Sequence, residues 1–256
     1  MCSSDLLPGQ LTILGSKPLG VKEVINPLRA SGGADKDSRD QIRTNAPLSV
    51  TALDRLVSVD DYAHFARTFA GIGKAKSTSL TDGHRQLVHI TVAGIDDIPI
   101  DPTSDLYLNL RHALHLYGDR NQPLQLDVRA AKFLVLQAGV KVDPDYPWEV
   151  IAPAMRAALL DAFRFDRREL GQSAFLSEAI DVLQRVPGVE FIDVNLFGSI
   201  PNEALTPSAI TSAIASLTRE DVVRARLAEA ESGGITPAEI GYFTPEVPAT
   251  IALNEL

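Results

Sequence analysis

Cysteine is almost absent from this chain, which carries a single one, Cys2, in 256 residues. One cysteine excludes any disulfide within the chain and any metal site built from several cysteines. Long apolar runs are also lacking, since no stretch approaches the ~20 apolar residues that a membrane-spanning helix needs. The N-terminus has no apolar signal-peptide core either. These absences predict a soluble, intracellularly made protein with no membrane partner.

Positive charge is scarcer than negative charge: the chain has 24 Lys and Arg against 33 Asp and Glu, which gives a net charge of −9. A chain with this negative overall electrostatic field is a poor candidate for binding nucleic acid. The 45% hydrophobic and 22% charged content is that of an ordinary globular protein. Its length suits one large domain or two small ones.

Motifs for nucleophilic catalysis or phosphate binding are missing as well. The sequence contains no GxSxG, no GxxxxGK[ST] and no GxGxxG. Gly71, Gly73 and Lys74 follow a predicted helix, whereas a phosphate loop follows a strand and opens a helix. The residues therefore predict no enzyme, no catalytic or cofactor-binding residue and no cofactor.

Two histidines, His112 and His115, keep one metal-site alternative open. They lie three residues apart on a predicted helix, a spacing that a metal can use in principle. Projected at helical periodicity they point away from the apolar stripe and toward solvent. No further His or Glu completes a ligand set, so a solvated helix face is favoured over a metal-dependent hydrolase. A free-standing binding module is the other alternative.

A small basic cluster, Arg164, Arg167 and Arg168, follows the longest predicted helix. Such a cluster could contact an anion. Cations near a helix C-terminus are also ordinary stabilising residues, and that interpretation is favoured.

Residues 51–130 are predicted to form a first α+β module. Ser58 and Asp61 fit a capping box at a helix N-terminus. Two strands follow, the second with Val88, Ile90 and Val92 on one face and Leu87, His89 and Thr91 on the polar face. A helix over residues 104–117 and a strand over 124–130 complete the module.

A second α+β module is predicted over residues 131–198, as strand, helix, helix and strand around one mixed sheet. Residues 199–256 are predicted to form a helical and extended C-terminal tail. Three cap signals mark short helices there: Thr206 with Pro207, Thr218 with Asp221, and Thr236 with Pro237 and Glu239. The apolar end of the tail should dock on this chain or on a neighbour.

The N-terminal part is predicted to belong to a larger whole. Residues 1–25 are interpreted as the remnant of a preceding β-rich domain, and residues 1–6, MCSSDL, resemble an artefactual sequence rather than native protein. Residues 26–50 are rich in turn signals, with Pro27 and the glycines at 32 and 33, and favour an extended linker.

Several segments carry a resemblance to a known family. They are VINPLRASGGADKDS at 24–38, NAPLSVTALDRLVSVDDYAHFA at 45–66, GIGKAK at 71–76 and EIGYFTPEVPATIALNEL at 239–256. In this order they resemble the baseplate J-like family, whose members are baseplate assembly or wedge components of contractile phage tails and related injection systems. Family members are usually longer, so this chain resembles the C-terminal portion of one.

The resemblance implies a structural, non-enzymatic wedge subunit that links the hub to the sheath-bearing tail and rearranges on contraction. It implies other wedge and hub proteins and copies of the same chain as partners. The implied location is the baseplate of a virion or injection particle, assembled in the bacterial cytoplasm. On this interpretation, residues 26–43 act as an interdomain joint or as a strap packed on a neighbouring subunit.

Overall fold

The computed structural model describes residues 9–13, 15, 19–26, 39, 42–43, 56–81, 85–202, 207–231 and 234–256. The chain divides into two compact units, residues 1–128 and 129–256. Helices and small sheets occur in both units, so the predicted α+β fold class is confirmed. Residues 1–6 and nearly all of the predicted linker at 26–50 lie outside the described residues.

Between residues 56 and 128, the described part of the first unit contains two α-helices and a three-stranded sheet in the order that the sequence predicts. Its elements are α1 (Val59–Thr68), β1 (Ile72–Thr81), β2 (Gln86–Gly94), α2 (Asp105–Tyr117) and β3 (Leu124–Val128). The sheet order is β1-β2-β3, with β1 antiparallel and β3 parallel to β2. The crossover from β2 to β3 runs through α2, as a parallel connection requires.

Both helices of this unit begin at side-chain caps. The Ser58 hydroxyl accepts from the Asp61 amide at 3.2 Å, and the Asp61 carboxylate accepts from the Ser58 amide at 2.7 Å. Ser104 caps α2 by accepting from the Tyr107 amide. These bonds satisfy amides that lack partners within the helix, and they confirm the predicted capping box.

The core of the first unit lies between the helices and one face of the sheet. Val88, Ile90 and Val92 of β2 pack there with Leu110 and Leu114 of α2. These five side chains are all buried, which confirms the strand face and the helix stripe assigned from their periodicity.

The second unit is built on one long central strand. Its elements are β4 (Ala130–Val142), α3 (Trp148–Ala162), β5 (Ala174–Phe175), α4 (Leu176–Gln184), β6 (Val189–Pro201), α5 (Pro207–Ser216), β7 (Val222–Val223), β8 (Glu229–Glu231), β9 (Gly234–Thr236), β10 (Glu239–Tyr242) and β11 (Ile251–Glu255). β6 pairs antiparallel to β4 along almost its whole length. β10 and β11 pair parallel to β4, β10 with residues 130–133 and β11 with residues 136–140. They therefore lie end to end along the other edge of β4.

One face of this sheet carries the core of the second unit. Leu134, Leu136, Ala138 and Val140 of β4 pack against α3 and α4, which contribute buried residues such as Met155, Leu159 and Leu183. Phe163 at the end of α3 meets Phe243 edge to face, with ring centroids 5.6 Å apart. Because the two aromatic rings are both buried, they join the helix layer to the segment after β10.

The C-terminal segment is where the structure departs from the sequence expectation. Pro207 does mark a helix, since α5 starts there, and Thr206 lies outside the described residues. The other two predicted helices are wrong: residues 217–221 are not helical, and Thr236 and Glu239 belong to β9 and β10. Cap signals are local, and at Glu239 pairing with β4, about 110 residues away, overrides the signal. β10 and β11 complete the sheet of the second unit on this same chain.

Within the part of the chain that the structure describes, no helix combines the length and the apolar character needed to cross a membrane.

Candidate functional site

The two histidines of α2 lie where the sequence places them, on the outer face of the helix. His112 and His115 are both exposed, while Leu110 and Leu114 of the same helix are buried. In the described parts of the chain, no group of three or more His, Cys, Asp or Glu residues is arranged to hold a metal ion. His84 and Cys2 lie outside those parts.

His89 differs most from its predicted environment. The strand alternation puts it opposite Val88 and Ile90, as expected, but its side chain is completely buried rather than on a solvated face. β2 is the middle strand of the sheet and almost all of its residues are buried on both faces. A central strand buried on both sides does not show the polar alternation of a half-exposed one.

A small hydrogen-bonded group surrounds this histidine. The His89 Nε2 atom lies 2.7 Å from Asp127 Oδ2 on β3, and Gln125 Nε2 donates to the same oxygen at 2.8 Å. With the proton on Nε2, the imidazole donates to the carboxylate. The other ring nitrogen, Nδ1, is buried without a hydrogen-bond partner. The group joins β2 to β3 across their parallel pairing, and removing the carboxylate would leave a buried imidazole unsatisfied.

Several aspartates accept hydrogen bonds from nearby backbone amides. Asp61 accepts from amides at the start of α1, and the hydrogen bond from the Ser58 amide holds the pKa of Asp61 below its usual value. Asp143 accepts from the Asp145 amide at 2.9 Å in the turn after β4. Asp101 accepts from the amide and hydroxyl of Thr103, and the amide bond lowers its pKa. Caps and turns account for these carboxylates.

The basic cluster after α3 does not converge on an anion site. Arg164 and Arg167 are half-exposed, and both pair with Asp161, Arg167 at 2.9 Å and Arg164 at 3.7 Å. Arg168 turns the other way, and only 5% of its side chain is exposed. The cluster is therefore two surface arginines and one interior arginine.

Arg168 is a structural anchor that the sequence pattern does not identify. Its guanidinium donates to the Ser173 carbonyl at 2.6 Å, to the Gln172 carbonyl at 3.3 Å and to the Glu178 carboxylate at 3.3 Å. It also lies over the Phe163 ring, 5.3 Å from the centroid. Burial lowers the pKa of Arg168, and Glu178 opposes that effect. These bonds fix the connection between α3 and α4.

A second arginine, Arg156, fixes the C-terminal strand. From α3 it donates to the Pro248 carbonyl at 3.0 Å and to the Ile251 carbonyl at 2.5 Å, directly before and at the start of β11. At the far end the Leu256 amide donates to the Val140 carbonyl at 3.0 Å. The Leu256 side chain covers Gly139, where an added Cβ would lie only 2.6 Å from it. A single Arg on a helix surface gives no sequence signal for such a role.

The polar contacts of His89, Arg156 and Arg168 each join elements of one unit. They hold strands and connections in place within that unit.

Residues 54–127, which span α1 to β3, match the family model of the Baseplate J-like central domain. The resemblance of the sequence to the baseplate J-like family is confirmed by this match. No curated protein matches the chain.

Among solved structures, the chain aligns with a chain of the anti-feeding prophage baseplate, determined by cryo-electron microscopy with six-fold symmetry applied. It is 16% identical, with a TM-score of 0.44, over 76% of this chain and 45% of that chain. The present chain thus spans less than half the length of that protein.

Proposed function

We propose that this protein is a structural, non-enzymatic subunit of the baseplate of a contractile tail or contractile injection system. The observation that carries the proposal is the match of residues 54–127 to the Baseplate J-like central domain. The sequence motifs at 24–38, 45–66 and 239–256, which follow one another in the order typical of the family, extend the resemblance beyond that domain. Two densely packed modules suit a part that must transmit force without deforming, since packed interiors have low compressibility.

The finer proposal is a wedge position. The subunit would link the hub to the sheath-bearing tail and change its neighbours when the tail contracts. Rigid modules that move about a short joint are a common switching device. Residues 26–43 are proposed as that joint because of their Pro and Gly content.

The proposed partners are other wedge proteins, hub proteins and copies of this chain. The proposed location is the baseplate of a virion or injection particle that assembles in the bacterial cytoplasm. The net charge of −9 argues against direct contact with nucleic acid through the overall field.

The test uses particles from the bacterium that encodes the protein. Purified particles containing sheath and tube should also contain this protein, as measured by mass spectrometry. Disrupting its gene should leave tails without baseplates in electron micrographs, and the full-length gene supplied in trans should restore them. Intact, contractile particles from the disrupted strain would exclude the proposal.

The joint is tested separately. Replacing residues 26–43 by a Gly/Ser segment of equal length keeps the reach of the chain but changes its shape, while deleting them changes both. Both variants should reduce the yield of contractile particles if the segment is a shaped joint. Normal contraction in the deletion variant would refute that role.

The metal-dependent hydrolase alternative has a direct test as well. Zinc bound to the folded protein at ~100 times its Kd would add about 2.7 kcal/mol of stability. We expect no difference in melting temperature between zinc and chelator for the wild type. A shift that disappears in His112→Ala would favour the alternative.

A further inference from the structure

A single residue joins the two units of the chain. The chain passes from the first unit to the second once, between Val128 and Arg129. β3 ends at Val128 and β4 begins at Ala130, so Arg129 stands between the two strands. The hydrophobic cores are separate as well, because one is drawn from residues 56–128 and the other from residues 134–253. Any movement of one unit relative to the other therefore has to bend this connection.

The backbone on either side of Arg129 is held by strand pairing. Val128 lies opposite Val92 of β2, in the sheet of the first unit. Ala130 lies opposite Glu239 of β10, in the sheet of the second unit. Each residue has only two soft backbone dihedral angles. The freedom of the connection is therefore confined to ψ of Val128, φ and ψ of Arg129, and φ of Ala130.

The side chain of Arg129 is attached to the second unit. Its guanidinium lies over the Phe165 ring, 5.4 Å from the centroid, and donates to the Tyr242 hydroxyl at 3.5 Å. Tyr242 meets Phe165 and Phe133 edge to face, with ring centroids 5.5 and 5.6 Å apart. All three rings are buried. The guanidinium, which is attracted to the face of an aromatic ring, is thus bound to a fixed part of this unit.

This attachment limits how the connection can turn. With its side chain bound by Phe165 and Tyr242, the Cα of Arg129 is fixed to the second unit. Rotation is then confined to the bonds before this Cα, and releasing the side chain adds the bonds after it. Hinges in proteins are a few residues at the ends of rigid elements that absorb such changes of dihedral angle.

We propose that Arg129 is a hinge between the two units, and that the packing of its side chain on Phe165 and Tyr242 restrains this hinge. It is a second joint in the chain, besides the one proposed at residues 26–43. The inference goes beyond the baseplate function and is independent of it, because it stands on contacts within each unit. In a baseplate subunit, such a joint would let the two units turn without unfolding when their neighbours rearrange.

The test measures distances between pairs of spin labels in the purified full chain, by double electron–electron resonance. Cys2→Ser removes the single cysteine, and new cysteines are introduced in pairs at exposed positions. One pair, His112→Cys with Asp193→Cys, spans the two units. The two control pairs each stay within one unit. They are His112→Cys with Lys76→Cys in the first unit, and Asp193→Cys with Glu149→Cys in the second.

Each pair is measured with Arg129 intact and in Arg129→Met, which keeps the apolar stem of the side chain but removes the guanidinium. Phe165→Leu removes the ring under the guanidinium and so tests the same contact from the other side. The matched control is Arg164→Met, because Arg164 is a surface arginine of the same unit that pairs with Asp161.

The spread of the distance between the units should widen about twofold or more in Arg129→Met and in Phe165→Leu, because the restrained dihedral angles are released. Distances within each unit, and all distances in Arg164→Met, should keep the spread of the wild type. An unchanged spread between the units in Arg129→Met and Phe165→Leu overturns the inference, and so does an equal widening within a unit or in the control. These outcomes leave the baseplate function standing, since the measurement uses no particles.

Discussion

Arg168 and Arg185 allow a matched measurement of what burial does to an arginine–carboxylate pair. Arg185 pairs with Asp181 one helical turn away at 2.8 Å, with 76% of its side chain exposed. Arg168 pairs with Glu178 at the longer distance of 3.3 Å, with 5% exposed. Judged by distance alone, the Arg185 pair should contribute more to stability. Judged by burial and by the backbone carbonyls it binds, Arg168 should contribute more.

Replacing Arg168 by Met keeps the apolar stem but removes three hydrogen bonds. The carbonyls of Gln172 and Ser173 then lose a charged donor, and each such bond contributes roughly 1.5–3 kcal/mol. The substitution also removes the desolvation cost of the buried guanidinium, which offsets part of this loss. The Glu178 carboxylate, with 43% of its side chain exposed, can hydrogen-bond water instead. The net destabilisation expected for Arg168→Met is about 3 kcal/mol. For Arg185→Met it is about 0.3–0.5 kcal/mol, as for other exposed pairs one turn apart.

Trp148 supplies a specific signal for this experiment. It is the single tryptophan of the chain and packs against the core of the second unit. Its fluorescence during urea unfolding therefore reports the unit that contains both arginines. Arg168→Met should shift the midpoint clearly to lower urea with an unchanged slope. A difference of less than about 0.5 kcal/mol between the two variants would refute the assignment of Arg168 as an anchor.

Three further changes test other parts of the structure. Asp127→Ala should destabilise the first unit by roughly 1–3 kcal/mol in denaturant unfolding followed by circular dichroism, because His89 stays buried without its partner. Asp61→Asn should weaken the dependence of stability on acid pH. Because the pKa of Asp61 is lowered in the folded protein, its carboxylate stabilises the fold fully above the unfolded-state pKa of 3.8, and this stabilisation is lost as the pH falls through the folded-state pKa. Gly188→Ala should destabilise the second unit by about 1–3 kcal/mol by Trp148 fluorescence, since Gly188 has φ +94° and an added Cβ meets the Tyr146 ring at 2.7 Å.

Each of these changes has a control at a similar residue. His112→Ala, on the exposed face of α2, should stay within about 0.5 kcal/mol of the wild type. Asp60→Asn removes a neighbouring carboxylate that is not part of the capping box and should leave most of the acid dependence in place. Gly198→Ala, in the same unit as Gly188, adds a Cβ whose nearest neighbour, the Leu217 side chain, lies at an ordinary contact distance of 3.4 Å. A control that loses as much stability as its partner would contradict the corresponding contact.

Local patterns were sufficient to predict the first unit. Ser58 and Asp61 identify the start of α1, and alternation along β2 separates Val88, Ile90 and Val92 from the opposite face. These signals depend on residues within a few positions of each other, and the folded structure preserves them.

Burial on the opposite face of β2 could not be read in the same way. His89 occupies a position that alternation marks as polar, but its side chain is fully buried and hydrogen-bonds a carboxylate of the adjacent strand. Its partner Asp127 is 38 residues away and one strand further along the sheet. A single sequence does not show which carboxylate will meet a buried imidazole. The role of Arg156 was missed for the same reason, since the carbonyls it binds lie 92 and 95 residues further along the chain.

The C-terminal strands show how strongly long-range pairing shapes the second unit. β4 is buried along most of its length, yet one of its edges is completed by β10 and β11 from the last 18 residues of the chain. Without them β4 would present unpaired backbone groups beside apolar residues, which is the kind of edge that promotes aggregation. Closing a loop of about 100 residues has an entropic cost that grows only slowly with length, so direct contacts must hold these strands in place. Arg156 on the carbonyls of Pro248 and Ile251, and Leu256 over Gly139, hold β11 at both ends. The residues that the sequence presented as a tail are therefore structural members of the sheet.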